Sequence, residues 1–353
     1  MNITEHRKAI DKCDAHIVKL LNERTKHVLA IGEIKLKSGD EVYAPHREHA
    51  VLNRICRLNQ GPITGESLRA IYREIMSSAL SLEKSLTIAY LGPEATFTHQ
   101  AAIRRFGSSL RYSSQKTIAD VFMEVSKRRA DYGVVPIENS TEGVVTHTLD
   151  MFVDSDLKIV AQIVTPVQHC LLSRFKRADV KKLYVHPQTL GQCRLWIQAN
   201  FPRAEIIETS SNARSAEFAA QEPNSAAIAG VLASEKYGVP ILELDVQDNA
   251  ANATRFLVLG RQCSPPTGKD RTSLLFSVMD KVGALYSALA ALRRYRLNMT
   301  RIESRPSKRK AWEYLFFVDC DGHVEDRQVA KALALLGEHC SYVKVLGSYP
   351  NGE

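Results

Sequence analysis

Apolar residues recur at Ile10, Ile17, Leu20, Leu21, Val28, Ile31 and Ile34, the spacing that lines one face of a helix. No proline interrupts them before Pro45, and the Gly39-Asp40 turn ends the run. The pattern predicts a first helix of ~33 residues, about 50 Å long. A second helix begins near Pro45 and carries Val51, Leu52, Ile55 and Leu58, until Gly61-Pro62 breaks it. A third begins near Gly65-Glu66 and carries Leu68, Ile71, Ile75, Leu80 and Leu82. Residues 1–86 therefore read as an all-α domain. The rest of so small a domain cannot cover a rod that long, so a second copy is expected along it, in an intertwined homodimer.

After residue 86 the period changes. Short apolar runs at Ile88–Leu91, Tyr132–Ile137, Leu183–Val185, Ala226–Ala229 and Phe256–Leu259 alternate with amphipathic stretches near 98–106, 117–130, 189–200 and 212–221. That alternation predicts an α/β domain over 87–262 with a mainly parallel sheet. Two strand–helix sets, separated by the stretch 157–173, suggest two lobes with a cleft between them. Residues 263–270 (Cys-Ser-Pro-Pro-Thr-Gly-Lys-Asp) read as a linker. Residues 271–350 then follow the order strand, helix, strand, strand, helix, strand, the ferredoxin-like α+β plait.

Composition narrows the class without choosing a function. The chain has 353 residues, 44% hydrophobic and 24% charged, as expected of a multidomain globular protein. No apolar run approaches the ~18 residues of a membrane span, and the charged start MNITEHRKAIDKCD does not read as a secretory leader. The net charge of +8 is dispersed apart from Lys308-Arg309-Lys310. A small anionic substrate accounts for it as well as nucleic acid does. Seven scattered cysteines without a Cys-x-x-Cys pair read as reduced thiols in a cytoplasmic protein, with no zinc site; no cofactor is expected.

Candidate chemistry starts on the first helix. Arg24 and Lys35 are eleven residues apart, about 20° from each other at ~100° per residue. Val28 and Ile31 lie between them, so two cations border an apolar stripe. Arg7 falls ~100° off that face and can serve the pocket of a crossed partner instead. Together with Arg47-Glu48 and the closing Ser81-Leu82-Glu83, this set resembles the all-helical chorismate mutases. The resemblance implies that the arginines hold the two carboxylates of chorismate, Arg7 coming from the other subunit. Lys35 would donate to the ether oxygen and Glu48 would take the ring hydroxyl. A pericyclic rearrangement needs no nucleophile, only a compact conformer and donors aimed at the breaking bond. Where that family often has aspartate this chain has Ala44, and where it often has glutamine this chain has Glu83. Glu83 can donate a hydrogen bond there only when protonated.

In the middle segment polar clusters fall where strands should end and helices begin: Gly92–Thr98, Pro136–Gly143, Ser210–Ala213 and Asn252–Phe256. Ligands of open α/β sheets bind at such ends. The Pro-Ile-Glu-Asn-Ser-Thr-Glu-Gly and Asn-Ala-Thr-Arg-Phe stretches resemble prephenate dehydratases, whose two lobes are built like those of periplasmic binding proteins. The resemblance makes Thr254 catalytic and Arg255 a holder of the substrate carboxylate, with Asn139, Ser140 and Ser211 as further contacts. His186, Gln188 and Gln192 are further cleft candidates. Ala95 stands where that family usually has glycine.

In the last segment Gly283-Ala284-Leu285 opens a helix, and Glu303-Ser304-Arg305-Pro306 ends a strand. The pair, with Trp312-Glu313-Tyr314, resembles the ACT-type regulatory domain, in which these two motifs bind L-phenylalanine between subunits. The order of the three parts resembles the bifunctional chorismate mutase/prephenate dehydratases of phenylalanine biosynthesis, with chorismate and prephenate as substrates. Arogenate as the dehydrated substrate, and a non-catalytic amino-acid-binding regulator, are the alternatives.

Overall fold

The computed structural model describes residues 2–38, 43–307 and 313–351. The expected Gly39-Asp40 turn, the Lys308-Arg309-Lys310 cluster and Trp312 lie outside them. The chain forms two compact units: residues up to Thr87 together with Arg105–Arg111, and the remainder.

The first unit is helical: α1 (Ile3–Ser38), α2 (Pro45–Leu58) and α3 (Gly65–Glu83). Pro45 opens α2, where its missing N–H costs nothing. Thr64 caps α3 by accepting from the Ser67 amide at 3.1 Å. Helix α3 packs on α1 and α2 on α3. Ile10, Ile17, Leu20, Ile31 and Ile34, read from sequence as a core stripe, are each more than half exposed on α1. Residues 105–111 close this unit from outside the helical sequence. Ser108 donates twice to Glu74, from its amide at 3.0 Å and its hydroxyl at 2.6 Å, and Phe106 packs on Tyr43.

The second unit begins with a lobe of β1 (Thr87–Leu91), α4 (Phe97–Phe106), β2 (Arg111–Gln115), α5 (Ile118–Ser126), β3 (Tyr132–Asn139), β4 (Gly143–Val144), α6 (Thr146–Asp154) and β5 (Lys158–Pro166). A second lobe holds β6 (Cys170–Leu172), β7 (Lys182–Val185), α7 (Pro187–Gln192), α8 (Arg194–Asn200), β8 (Glu205–Glu208), α9 (Asn212–Gln221), β9 (Ser225–Ala229), α10 (Val231–Tyr237) and β10 (Ile241–Glu243). Strand β11 (Ala253–Gly260) returns to the first lobe. The strand orders are β2-β1-β3-β11-β5 and β10-β6-β9-β7-β8.

Both sheets are mixed, not mainly parallel as the alternation of elements suggested. β1 pairs parallel with β3, but β11 runs antiparallel to β3 and β5, and β6 antiparallel to β9 and β10. Parallel neighbours need a crossover helix on the same sheet. β11 arrives from the other lobe without one. The stretch 157–173, expected to separate the lobes, is itself largely β5 and β6. The helix expected over 189–200 is two, broken at the buried Cys193.

The C-terminal plait is as expected: β12 (Asp270–Val278), α11 (Ala284–Arg294), β13 (Met299–Pro306), β14 (Tyr314–Asp321), α12 (Arg327–His339) and β15 (Cys340–Pro350), with sheet order β13-β14-β12-β15. Strand alternation splits its core. Phe276, Phe316 and Val318 pack under α11 and α12. Leu275, Leu315, Phe317 and Tyr349 join the first lobe's core with Ile137, Phe152 and Leu257. Gly347 makes this sheet-on-lobe contact possible: a Cβ there would lie 2.2 Å from the Ile159 carbonyl oxygen.

Candidate functional sites

In the helical unit a cavity of about 200 Å³ opens beside α1. Arg24, Val28, Ile31 and Lys35 line it together, as their wheel positions require, facing Arg47 and Glu48 from α2. The Arg24 Nη1 atom is shielded from solvent and has no hydrogen-bond partner among the described residues. A buried donor in that state is costly unless a ligand accepts from it. Ala44 also lines the cavity, in the place the family often gives to aspartate. Arg7 is exposed near the start of α1 and does not line the cavity.

Glu48 has a companion that no local pattern of residues marks. Arg105 approaches it at 3.2 Å and donates from Nε to the Tyr43 hydroxyl at 2.9 Å. Both side chains of the ion pair are largely shielded, and burial drives the Tyr43 phenol far above its ordinary range. Glu83 ends α3 with its side chain laid on Gly32 of α1, where there is no room for a methyl group. Its Oε1 is buried without a partner among the described residues. Burial pushes its pKa up and the Lys35 ammonium opposes the shift, leaving it above the ordinary carboxylate value.

In the second unit the two lobes meet at a polar network centred on Asn139. Thr254 on β11 stands directly across from Asn139 on β3. The Asn139 carbonyl oxygen accepts from the Thr141 hydroxyl at 2.6 Å and from the amides of Thr141 and Glu142. Its NH₂ end must therefore point the other way, and it donates to Thr254 Oγ1 at 2.8 Å and Asn252 Oδ1 at 2.9 Å. Asn252 donates to Gln192 Oε1 at 2.9 Å, which lies 2.8 Å from His169 Nε2. Gln192 reaches back to Thr141 at 3.2 Å. An oxygen cannot donate, so His169 carries its proton on Nε2. Burial holds its pKa below the usual histidine value. The buried Nδ1 is then a bare acceptor without a partner among the described residues. Thr254 receives a hydrogen bond from an amide rather than giving one, so its own proton is available to a ligand. Gln192 was anticipated as a cleft residue; Asn252 was noted only within its motif. His169 was missed, because nothing in its local sequence marks it.

Other expected contacts are engaged elsewhere. Ser140 Oγ accepts from the Ala253 amide at 3.0 Å and closes the loop before β11. Ser211 Oγ caps α9, accepting from the Arg214 amide at 3.1 Å. Arg255 follows Thr254 on an extended strand and so points to the opposite face of the sheet. Its guanidinium sits on Asp319 of β14 at 2.7 Å, not beside Thr254. The structure therefore does not bring Arg255 and Thr254 together on one face. Ala95 adopts the left-handed φ of 65° that glycine would take at no cost; the turn is kept despite the departure.

In the C-terminal plait Gly283 precedes α11 with φ 76°, Ala284 is buried and Leu285 packs against the core under α11 and α12. Glu303-Ser304-Arg305-Pro306 ends the edge strand β13. Glu303 and Arg305 share one face of that strand and Ser304 the other. Arg305 reaches Asp150 of α6 at 3.4 Å.

Residues 88–264 match the family described as prephenate dehydratase, residues 6–84 that of type II chorismate mutase, and residues 272–336 the ACT domain. A bifunctional chorismate mutase/prephenate dehydratase of Aquifex aeolicus (strain VF5) is 49% identical over 353 residues, covering 99% of this chain and 98% of that protein. The protein of the same name from Neisseria gonorrhoeae (strain ATCC 700825 / FA 1090) is 46% identical over 349 residues, covering 98% and 96%. The crystal structure of a prephenate dehydratase from Arthrobacter aurescens in complex with L-Phe superposes with TM-score 0.71 at 32% identity, over 75% of this chain and 90% of that one. With a cation-lined cavity in its helices, an oriented threonine in its cleft and a βαββαβ domain behind, the chain belongs to the bifunctional chorismate mutase/prephenate dehydratases.

Proposed function

We propose that the two reactions of the family run at the two sites just described: chorismate to prephenate in the helical unit, and prephenate to phenylpyruvate, water and CO₂ in the cleft. The observation that carries the first is the desolvated Arg24 Nη1, without a partner among the described residues, in a cavity that also holds Lys35 and Arg47. A small dianion is the ligand that satisfies such a set. Arg24 and Arg47 hold chorismate's carboxylates, and Lys35 donates to the ether oxygen as the C–O bond lengthens. Glu48, steadied by Arg105, takes the ring hydroxyl. Arg7 of a second copy completes the cage, and the exposed apolar stripe of α1 supports an intertwined homodimer.

Glu83 supplies the second donor to the ether oxygen in its protonated form. Its pKa is raised, so the protonated state persists above the ordinary carboxylate range, and a bound dianion raises it further. Mutase activity is therefore present below that pKa and declines as pH rises through it. Glu83→Gln, which donates at any pH, is expected to flatten the profile. A wild-type mutase rate unchanged from about pH 5 to 9 would remove the carboxylic acid from the mechanism.

In the cleft, loss of CO₂ sends electrons toward C4 of the ring and expels its hydroxyl. Hydroxide leaves poorly unless a donor meets it. The Thr254 O–H, held by Asn139, is that donor. L-Phenylalanine, the ligand in the Arthrobacter aurescens structure, binds the ACT domain as feedback inhibitor, with Gly283, Ala284, Leu285 and Glu303–Pro306 forming its site. The seven cysteines are free thiols, which supports a cytoplasmic setting; among the described residues no helix is long and apolar enough to cross a membrane.

The decisive experiment incubates the purified full chain with chorismate and follows both products, with and without phenylalanine. Prephenate and phenylpyruvate are expected in sequence, and phenylalanine is expected to stop the second step. Unchanged chorismate would overturn the reading. A parallel arm with arogenate tells the two dehydration substrates apart.

A further inference from the structure

The catalytic step of β11 and β3 has two faces. Thr254 and Asn139 pair on the cleft face; the next cross-strand pair, Arg255 and Glu138, points backward. The C-terminal sheet lies against that back face, and there Arg301 of β13 and Asp319 of β14 are likewise direct cross-strand partners. The four side chains meet with alternating charge. Arg255 Nη2 is 2.7 Å from Asp319 Oδ2, Arg301 Nε is 3.3 Å from Glu138 Oε2, and Arg255 Nε is 3.9 Å from the same Glu138 oxygen. Asp319 is only 4% exposed, and its other oxygen accepts from the Ser273 hydroxyl at 2.6 Å. Glu138 is partly exposed, but Arg255, Arg301 and Asp319 are shielded, and removing one charge from these three strands the others, so the set favours one registration of the two sheets. β13 also carries Glu303–Pro306.

We propose that Asp319 is a positioning residue for the dehydratase reaction: acting through Arg255, it holds the β11–β3 step that presents Thr254. With Arg301 and Glu138 it forms the contact through which amino-acid binding in the ACT domain reaches that step. The proposal rests on the dehydratase reading of Thr254. An effector acts only through contacts that differ between two states. In this proposal the charge quartet that joins β13 and β14 of the sensor to the back of the catalytic strands is that contact.

The test uses Asp319→Asn in the full chain, which keeps shape and the Ser273 bond but removes the charge. Dehydratase kcat is expected to fall about tenfold with KM for prephenate within about twofold, because the substrate is not touched. Calorimetry is expected to find phenylalanine still bound, while the fold-inhibition it produces shrinks by about tenfold. Mutase rate serves as the folding control. Should Asp319→Asn not fold, Arg301→Gln decides the matter with the same readouts. A folded variant with wild-type kcat and full inhibition overturns the proposal. Thr254→Ala is run alongside. A dead Thr254→Ala beside a wild-type-like Asp319→Asn overturns the positioning role alone, whereas an active Thr254→Ala overturns the reading on which it rests.

Discussion

Replacing Thr254 with alanine is expected to lower dehydratase turnover by about 10²–10⁴-fold, the range in which a positioned proton donor acts. Chorismate rearrangement in the same preparation should stay at the wild-type rate, because the helical site shares no residue with the cleft. The geometry says why one hydroxyl matters so much. Asn139 is oriented by three donors onto its carbonyl oxygen, and its NH₂ group fixes the Thr254 oxygen as an acceptor. The threonine proton is not used in that bond and can meet a ligand. Alanine deletes the hydroxyl that would donate to the substrate and, with it, the acceptor of the Asn139 bond. Valine separates the two effects of hydroxyl and shape: it keeps the β-branched outline but not the oxygen, and should be as inactive as alanine. Serine should recover most of the activity. Valine with wild-type turnover would mean that packing, not the hydroxyl, is what β11 contributes.

Some of this was legible in the residues and some was not, and the division follows distance along the chain. Arg24 and Lys35 are joined by one helix, so a wheel suffices to bring them to one face. The βαββαβ order also survives, because each element carries its own period. The Asn139 network does not. Its hydrogen bonds span 113 residues to Asn252 and 115 to Thr254, and Gln192 and His169 are joined across 23. Only the return of β11 between β3 and β5 brings these residues to one point. The same is true of Arg105, whose bond to Tyr43 spans 62 residues. Arg255 was misplaced for a different reason. Its neighbour Thr254 and the strand period together require the opposite face, and a motif read as a unit conceals that alternation. The apolar stripe of α1 shows a further limit: a helical face can be read as buried without the sequence saying what buries it.

That stripe leads to the second large effect. Arg7→Ala and Arg24→Ala are each expected to cost mutase activity roughly 10²–10³-fold, since in the proposed site each removes a charge from the cage around the substrate's carboxylates. Taken singly, these losses would not show where Arg7 acts. Mixing does. If the two arginines of one site come from two chains, a dimer of one Arg7→Ala and one Arg24→Ala subunit has one site with both defects and one with neither. Co-refolding equal amounts, with random pairing, makes half the dimers mixed and restores about a quarter of wild-type activity. If Arg7 served its own chain's cavity, every site would keep one defect and mixing would restore nothing. Arg7 sits at the far end of a rigid helix from the cavity it must complete. An isolated monomer, however well folded, would then be nearly inactive as a mutase. Dilution below the dimer dissociation constant should abolish the first reaction.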